Sequence, residues 1–219
     1  MKDLTKGSPS KVMISFAIPV ALGNIFQLCY SLADTRVVGS TLGEAALAAV
    51  GATTSISTLF IGFLSGLTNG FALLIARQFG AGDKKGVTRY GAGCLLLGCI
   101  TSVLLTFICV SSLPFILRLL NVPEALMGQS TAYIRAVLLG LLATMLYNGC
   151  ASILRAVGDT TAPLLFLLFA AALNVALDLL FILKFGFGVA GAAWATIIGQ
   201  IISALMVIRY LTHFKTVKL

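Results

Sequence analysis

Two aspartates, Asp34 and Asp178, lie within long apolar runs of the sequence, near the end of the first run and late in the fifth. A carboxylate at the centre of a bilayer costs about 2.5–3.5 kcal/mol on insertion scales, so such residues generally face the interior of a helix bundle and mark functional sites. Two carboxyl groups that lie close together in a medium of low dielectric cannot both be ionised cheaply. They share a proton or bind a cation instead. The pair therefore predicts a site for H⁺ or Na⁺.

Neutral oxygen ligands are predicted at the same depth as the two aspartates. Asn174 precedes Asp178 by four residues, which places both on one helix face. With a helical rise of about 1.5 Å per residue, Thr196 on the returning sixth run lies level with Asp178, and Asp34 can reach the same layer. Asn and Thr oxygens can complete the coordination shell of Na⁺ around the carboxylates. In the alternative interpretation, Asn174, Thr196 and Asn148 of the fourth run only join helices through hydrogen bonds, which average about 0.6 kcal/mol in membrane proteins.

The composition indicates that lipid is the solvent for most of the chain. Of the 219 residues, 59% are apolar and only 10% are charged, and the mean hydropathy is +1.05. A soluble protein needs a charged surface that these residues cannot supply. We therefore predict an all-α, multi-pass protein of the cell (plasma or inner) membrane, in contact with membrane lipid.

Six apolar runs are each long enough to cross the bilayer as a helix, which takes about 20 residues for about 30 Å of hydrocarbon. Lipid offers no hydrogen bonds to an open backbone, so the runs are predicted to be helical. Together they form a single six-helix unit over residues 1–219. The predicted spans are residues 13–35, 46–76, 90–117, 128–154, 162–183 and 189–211.

The basic residues predict the orientation of these spans. With the N-terminus in the cytoplasm, eleven Lys and Arg residues fall on the inner side and four on the outer side. Cytoplasmic loops carry an excess of such residues, so both termini are predicted to be cytoplasmic. The inner residues are Lys2, Lys6, Lys11, Arg77, Lys84, Lys85, Arg89, Arg155, Arg209, Lys215 and Lys218, and the outer ones are Arg36, Arg118, Arg135 and Lys184.

Proline and glycine residues punctuate the predicted helices. Pro19 lies inside the first span, where it removes a backbone hydrogen bond and predicts a kink. Since Asp34 lies on the same helix, Pro19 is the predicted hinge of the element that carries the first carboxylate. Gly62, Gly66 and Gly70 repeat every four residues along the second span. This spacing predicts a groove that another helix can approach closely.

Other classes of function are excluded by what the sequence contains. The five cysteines lie inside apolar runs without metal-ligand spacing, which is typical of small packing residues. No basic face is interleaved with aromatic residues, so nucleic acid is not a predicted partner. The Gly80–Gly82–Asp83 string matches the GxGD motif of intramembrane proteases only formally, because Asp83 lies in a charged loop. With no nucleophile elbow, zinc cluster or phosphate loop, the chain is predicted not to be an enzyme and to need no cofactor.

Six short motifs along the whole chain resemble, in family order, the N-terminal lobe of multidrug and toxic compound extrusion (MATE) transporters. Each motif is loose, but their joint order is specific, and the resemblance is closest to the prokaryotic DinF-type branch. The motifs are AIP at 17–19, YSLAD at 30–34, QFGAGD at 78–83, LRAVGD at 154–159 with Pro163, NVALD at 174–178 and GVAGAAWAT at 188–196.

The resemblance implies a function and a set of site residues. It implies a secondary active efflux antiporter that exports organic cations and other small amphipathic drugs by a rocker-switch motion, coupled to inward movement of H⁺ or Na⁺. Tyr30, one turn before Asp34, would neighbour the ion site, and Pro19 would be the point at which the first helix bends. The implied cation-binding residues are Asp34, Asn148, Asn174, Asp178 and Thr196.

The chain differs from the family in length, because family members carry two six-helix lobes and this sequence accounts for one. The second lobe is then expected from a second copy of this chain, paired in parallel, or from a separate C-lobe chain. An alternative of another class is a non-transporting membrane subunit or a truncated fragment. A further alternative is a lipid-linked oligosaccharide flippase of the same superfamily. Such flippases commonly have more helices and cationic cavities, whereas the predicted charges within spans here are acidic.

Overall fold

The computed structural model describes residues 9–213, which form eight α-helices and no β-strand. The all-helical architecture confirms the predicted fold class. It follows from the long apolar runs, since a helix satisfies its backbone hydrogen bonds without help from the solvent. The helices are α1 (Pro9–Leu42), α2 (Glu44–Gly80), α3 (Lys84–Ser111), α4 (Leu113–Leu119), α5 (Glu124–Leu139), α6 (Leu141–Ala156), α7 (Thr161–Leu179) and α8 (Gly188–His213), and a π-helical turn (Leu180–Lys184) extends α7.

Five of these helices are long and apolar enough to cross a membrane, namely α1, α2, α3, α7 with its π-helical turn, and α8. The α5–α6 pair meets the same criterion as a single span bent by 42°, which brings the total in residues 9–213 to six. The multi-pass class is thus confirmed. Lys2, Lys6, Lys215 and Lys218, together with both termini, lie outside the described residues, and the cytoplasmic location of the termini stays a prediction.

The fourth apolar run, predicted as one span over residues 128–154, bends at Gly140. A Cβ atom at Gly140 would lie 2.5 Å from Ile197 Cγ1. Glycine at position 140 therefore lets α8 approach the bend more closely than a residue with a side chain would. The Thr106 hydroxyl of α3 donates a hydrogen bond of 2.9 Å to the Leu138 carbonyl beside the bend. A bend in a membrane helix is tolerated where a neighbouring side chain re-satisfies the backbone in this way.

The third predicted span, residues 90–117, also differs from the observed helices. The helix α3 begins earlier, at Lys84, because Asp83 caps it by accepting a hydrogen bond of 3.0 Å from the Gly86 N–H. It ends at Ser111 because Pro114, in the first turn of α4, has no N–H to continue the ladder. The capping role of Asp83 agrees with its interpretation as a loop residue rather than a protease aspartate.

The buried core is centred on α6, which packs against α2, α3 and α8, while α7 packs against α8 and α1. Large apolar side chains elsewhere point outward, as lipid requires; Leu73 is 74% exposed and Phe107 is 73% exposed. Cys94, Cys109 and Cys150 are buried, as packing residues are, whereas Cys29 is exposed. The Gly62–Gly66–Gly70 face of α2 is open, since a Cβ atom added at any of the three would meet no described atom within 4 Å. No helix of the described chain occupies that predicted groove.

Candidate functional site

The carboxyl groups of Asp34 on α1 and Asp178 on α7 face each other within hydrogen-bonding reach. Asp178 is fully buried, with 0% of its surface exposed, and Asp34 is partly buried. Asp34 Oδ1 and both oxygens of Asp178 are buried without a hydrogen-bond donor. Two ionised carboxylates cannot hydrogen-bond to each other. One shared proton, or one cation between them, would relieve both the repulsion and the missing donors.

Asn174 lies one helical turn before Asp178, and its amide group is held by Thr196 of α8. The Asn174 Nδ2 atom donates to Thr196 Oγ1 at 3.2 Å. The same oxygen accepts from the Tyr30 hydroxyl at 3.3 Å and donates to the Ala192 carbonyl at 3.1 Å. Thr196 thereby fixes the orientation of the amide, and it leaves Asn174 Oδ1 buried without a donor.

Four buried acceptor oxygens therefore lie on Asp34, Asn174 and Asp178 with no donor from the protein. Unsatisfied buried acceptors are costly and call for an explanation such as a bound ion or proton. An oxygen-only set of two carboxyl groups and one amide suits a hard monovalent cation or a proton. The residues present fit the predicted coupling ion. Thr196 already uses its hydroxyl for three hydrogen bonds, so in this structure it orients Asn174 rather than offering a free oxygen.

Tyr133 of α5 is a neighbour of the carboxyl pair that sequence reasoning missed. It is close enough to interact electrostatically with both Asp34 and Asp178, as Tyr30 also is. A buried tyrosine hydroxyl generally needs a polar partner, so a tyrosine inside an apolar run was a usable signal. The apolar pattern of the fourth run does not show the bend at Gly140, so a count along a straight helix does not give the depth of Tyr133.

A polar cavity of about 320 Å³ lies next to the candidate cation site. Tyr30 and Thr196 line one end of it, and Arg155 of α6 and Thr160, which follows α6, line the other. Gln200, one turn after Thr196, lines it and keeps its Oε1 atom buried without a donor. Sequence reasoning missed Gln200 as well, although its four-residue spacing from Thr196 places both on one face of α8.

Asn148 lines this polar cavity, whereas Asp34 and Asp178 do not. The structure thus brings Asp34, Asp178, Asn174, Thr196 and Tyr30 together but leaves Asn148 apart. Among the described residues no hydrogen bond links Asn148 to either carboxyl group, and its part in cation binding stays a prediction. Pro19 also lines the cavity, within an α1 helix that continues on both sides of it, and its role as a hinge likewise stays a prediction.

Comparison with known proteins gives a consistent result. Residues 19–180 match the family model described as MatE. The chain is 33% identical over 217 residues to "Probable multidrug resistance protein YpnP" of Bacillus subtilis, a match that covers 98% of this chain and 48% of that protein. It superimposes on a solved MATE protein in the straight conformation with a TM-score of 0.91 and 31% identity, covering 99% of this chain and 48% of the other. For a MATE structure in the bent conformation the TM-score is 0.90 at 31% identity, covering 96% and 47%. The chain spans about half the length of the curated relatives it matches.

Proposed function

Because the chain belongs to the MatE family, we propose that it is the N-terminal lobe of a secondary active antiporter that exports small amphipathic xenobiotics in exchange for H⁺ or Na⁺. It is a multi-pass membrane protein and not an enzyme. Several of the relatives it matches are described as multidrug resistance or multidrug export proteins. We also assign it to the DinF-type branch, which rests on the sequence motifs alone.

The carboxyl pair between α1 and α7 is the observation that carries this proposal. When a cation lies between Asp34 and Asp178, it neutralises part of their charge and supplies the contact that the four buried oxygens lack. When the cation leaves, two like charges remain in a medium of low dielectric and repel each other. The distance between α1 and α7 therefore depends on whether the cation is bound.

The helix α1 connects the cation site to the polar cavity. It carries Asp34 at the site, and it carries Tyr30 and Pro19 on the wall of the cavity. A displacement of α1 changes the Tyr30–Thr196 hydrogen bond and the shape of the cavity together. By thermodynamic linkage, a cation that weakens substrate binding is itself bound more weakly when substrate is present, as an antiporter requires.

A transport assay tests the proposal. The full chain is reconstituted in liposomes, and efflux of amphipathic fluorescent dyes is measured under an imposed H⁺ or Na⁺ gradient. We expect the Asp178→Asn variant to move dye at the rate of empty liposomes. The matched control is Asp83→Asn, since asparagine caps a helix as well as aspartate and Asp83 lies far from the site in the α2–α3 loop. If Asp178→Asn transports as fast as the parent, the assigned cation site is wrong.

The second lobe is proposed to come from a second copy of the chain or from a separate C-lobe chain, since the match covers about half of each relative. The same observation favours a second candidate function, a non-transporting subunit or fragment that folds and binds a cation. Crosslinking in native membranes separates the two candidates, because a strictly monomeric chain without efflux supports the second. The relatives named above are multidrug proteins, so the oligosaccharide-flippase alternative receives no support from them.

A further inference from the structure

We propose that Arg155 and the polar cavity form a binding subsite for the oxyanion of an amphipathic ligand, such as a carboxylate or a phosphate. That the ligand is transported cargo rests on the proposed function, whereas binding of the ligand can be measured without transport. The subsite lies at the end of the cavity opposite Tyr30 and Thr196, and Asp34, Asn174 and Asp178 do not line this cavity.

Arg155 contributes its side chain to the wall of the polar cavity. It lies in the last turn of α6, and its Nη2 atom donates to the Ser152 hydroxyl at 3.0 Å, one turn back along the helix. Its guanidinium also interacts electrostatically with Tyr147, and both side chains line the polar cavity. Helix side chains lean toward the N-terminus, so this direction carries the positive charge from the end of α6 into the cavity.

No acidic side chain balances this charge among residues 9–213. The nearest acid in sequence, Asp159, is already engaged. Its Oδ1 accepts from the Ala162 N–H at 3.1 Å and its Oδ2 accepts from the Tyr210 hydroxyl at 2.8 Å. Of the described residues that line the polar cavity, Arg155 is the sole charged one. Arg155 thus places a positive charge on the wall of the cavity, while Asp34 and Asp178 are not among its lining residues.

The chemistry of the guanidinium determines what would bind there. Arginine has five N–H donors in a planar fork, and in the described structure one of them serves Ser152. A partly buried cation without a counter-charge is costly, and an oxyanion bound by two parallel hydrogen bonds is the partner that best offsets this cost.

The rest of the cavity suits an amphipathic molecule. Asn148 and Thr160 add neutral polar groups to its wall, and Leu164 and Leu167 supply apolar surface. The volume of about 320 Å³ falls at the lower end of the range for small-molecule sites. A ligand with an acidic group and an apolar body, including a zwitterion, therefore matches this cavity better than the purely cationic substrate expected from the resemblance.

Binding of a matched pair of probes tests the inference. Dansylglycine carries a carboxylate, and dansylglycinamide is its neutral counterpart with the same apolar body. Energy transfer from Trp194, the one tryptophan of the chain, next to cavity-lining Ala193, reports binding to the full protein in a neutral detergent. We expect the parent to prefer the acid by about tenfold or more, as a charge-assisted hydrogen bond implies. Arg155→Gln should abolish this preference and Arg155→Lys should retain part of it.

The matched control is Arg135→Gln, which removes an exposed arginine of α5 and should keep the full preference. Thermal unfolding of each variant verifies that it is folded. Repeating the titration in nanodiscs of a phospholipid separates the two sources of oxyanion. A preference seen in both media indicates a free amphipathic acid, and a preference lost only in the nanodiscs indicates that a lipid phosphate occupies Arg155. Equal affinity of the parent for acid and amide in both media would overturn the inference, whatever the outcome of the transport assay.

Discussion

At the scale of single residues, the candidate site is defined by acceptors that lack donors. Two carboxyl groups and one amide contribute four buried oxygens without a donor, although the neighbouring Thr196 hydroxyl is fully hydrogen-bonded. This contrast supports the proposal that the cation binds between Asp34, Asp178 and Asn174. In that proposal Asn174 is a ligand and Thr196 holds its amide in place.

The Asp178→Asn variant should be at least as stable as the parent although it does not transport. The new amide can donate a hydrogen bond to Asp34, and the substitution removes one of two like charges. Together these changes should stabilise the folded state by about 1 kcal/mol. Because only the parent retains the site, Na⁺ or acid should raise the unfolding temperature of the parent and not that of the variant. Thermal unfolding in detergent, with and without Na⁺ and at two pH values, measures this. An equal cation-dependent shift in both proteins would contradict the assignment.

Tyr133→Phe should weaken cation binding without unfolding the protein. The hydroxyl of Tyr133 interacts with both carboxyl groups, so its removal alters the surroundings of the site by one polar group. An effect of about 1 kcal/mol corresponds to about a fivefold change in apparent affinity. The change is read from the cation concentration that gives half-maximal stabilisation. Tyr90→Phe, in the core cluster around α6, is the control and should leave that concentration unchanged.

At the scale of helices, the α5–α6 bend determines where α8 lies. Gly140 lets Ile197 approach, and Ile197 follows Thr196 directly in the chain. The position of Thr196 thus depends on glycine at position 140. The Asn174 amide depends on it as well, because Thr196 holds that amide. Asp159 helps to fix where α7 begins, because it accepts a hydrogen bond from the Ala162 N–H in the first turn. The same helix carries Asn174 and Asp178.

Gly140→Ala should destabilise the protein by about 1–3 kcal/mol, the usual effect of overpacking. The added Cβ would lie 2.5 Å from Ile197 Cγ1, so the Ile197 side chain or α8 itself must shift. Combining it with Ile197→Ala should give a smaller loss than the sum of the two single changes, because the clashing atom is removed. Unfolding temperatures of the three variants measure the coupling.

The matched control is Gly128→Ala in α5, where no described atom lies within 4 Å of the new Cβ. Alanine is the better helix former there by about 1 kcal/mol, so this change should leave stability equal or higher. Strict additivity of Gly140→Ala and Ile197→Ala would show that the bend does not depend on the close approach of α8.

At the scale of the whole molecule, the described chain is one lobe with an outward apolar surface and an open glycine face on α2. Its charges are distributed unevenly, with the acids between α1 and α7 and Arg155 alone on the cavity. Cation and cargo would therefore occupy different compartments of one lobe, connected through α1. Such an arrangement lets the two be coupled without competing for the same atoms.

The predicted topology can be tested by labelling from one side of the membrane. In a variant that lacks the five native cysteines, Lys85→Cys lies in the first turn of α3, and Lys184→Cys lies at the end of the π-helical turn that extends α7. If both termini are cytoplasmic, a membrane-impermeant maleimide added to intact cells should label Lys184→Cys. It should label Lys85→Cys only after the cells are opened. The reverse pattern would invert the assigned orientation.

Much of this molecule follows from sequence alone, for a physical reason that acts locally. A run of about 20 apolar residues in lipid has to be a helix, and an aspartate within it needs a partner inside the bundle. These constraints predicted the all-helical fold. They also predicted a carboxylate site near Asn174 and Thr196. The structure brings these side chains together, and cation binding by them stays a prediction.

The tertiary structure decided which side chains actually meet. Rise per residue determines depth along a straight helix, but the rotation and bending of a helix depend on its neighbours. Tyr133, before the bend at Gly140, lies beside the carboxyl pair, whereas Asn148, after the bend, lines the cavity. Arg155, which the charge count places on the cytoplasmic side, donates to Ser152 and lines the cavity, a contact that the sequence did not predict. Contacts between residues far apart in the chain arise only when all the helices pack together, and no periodicity within a single run encodes them.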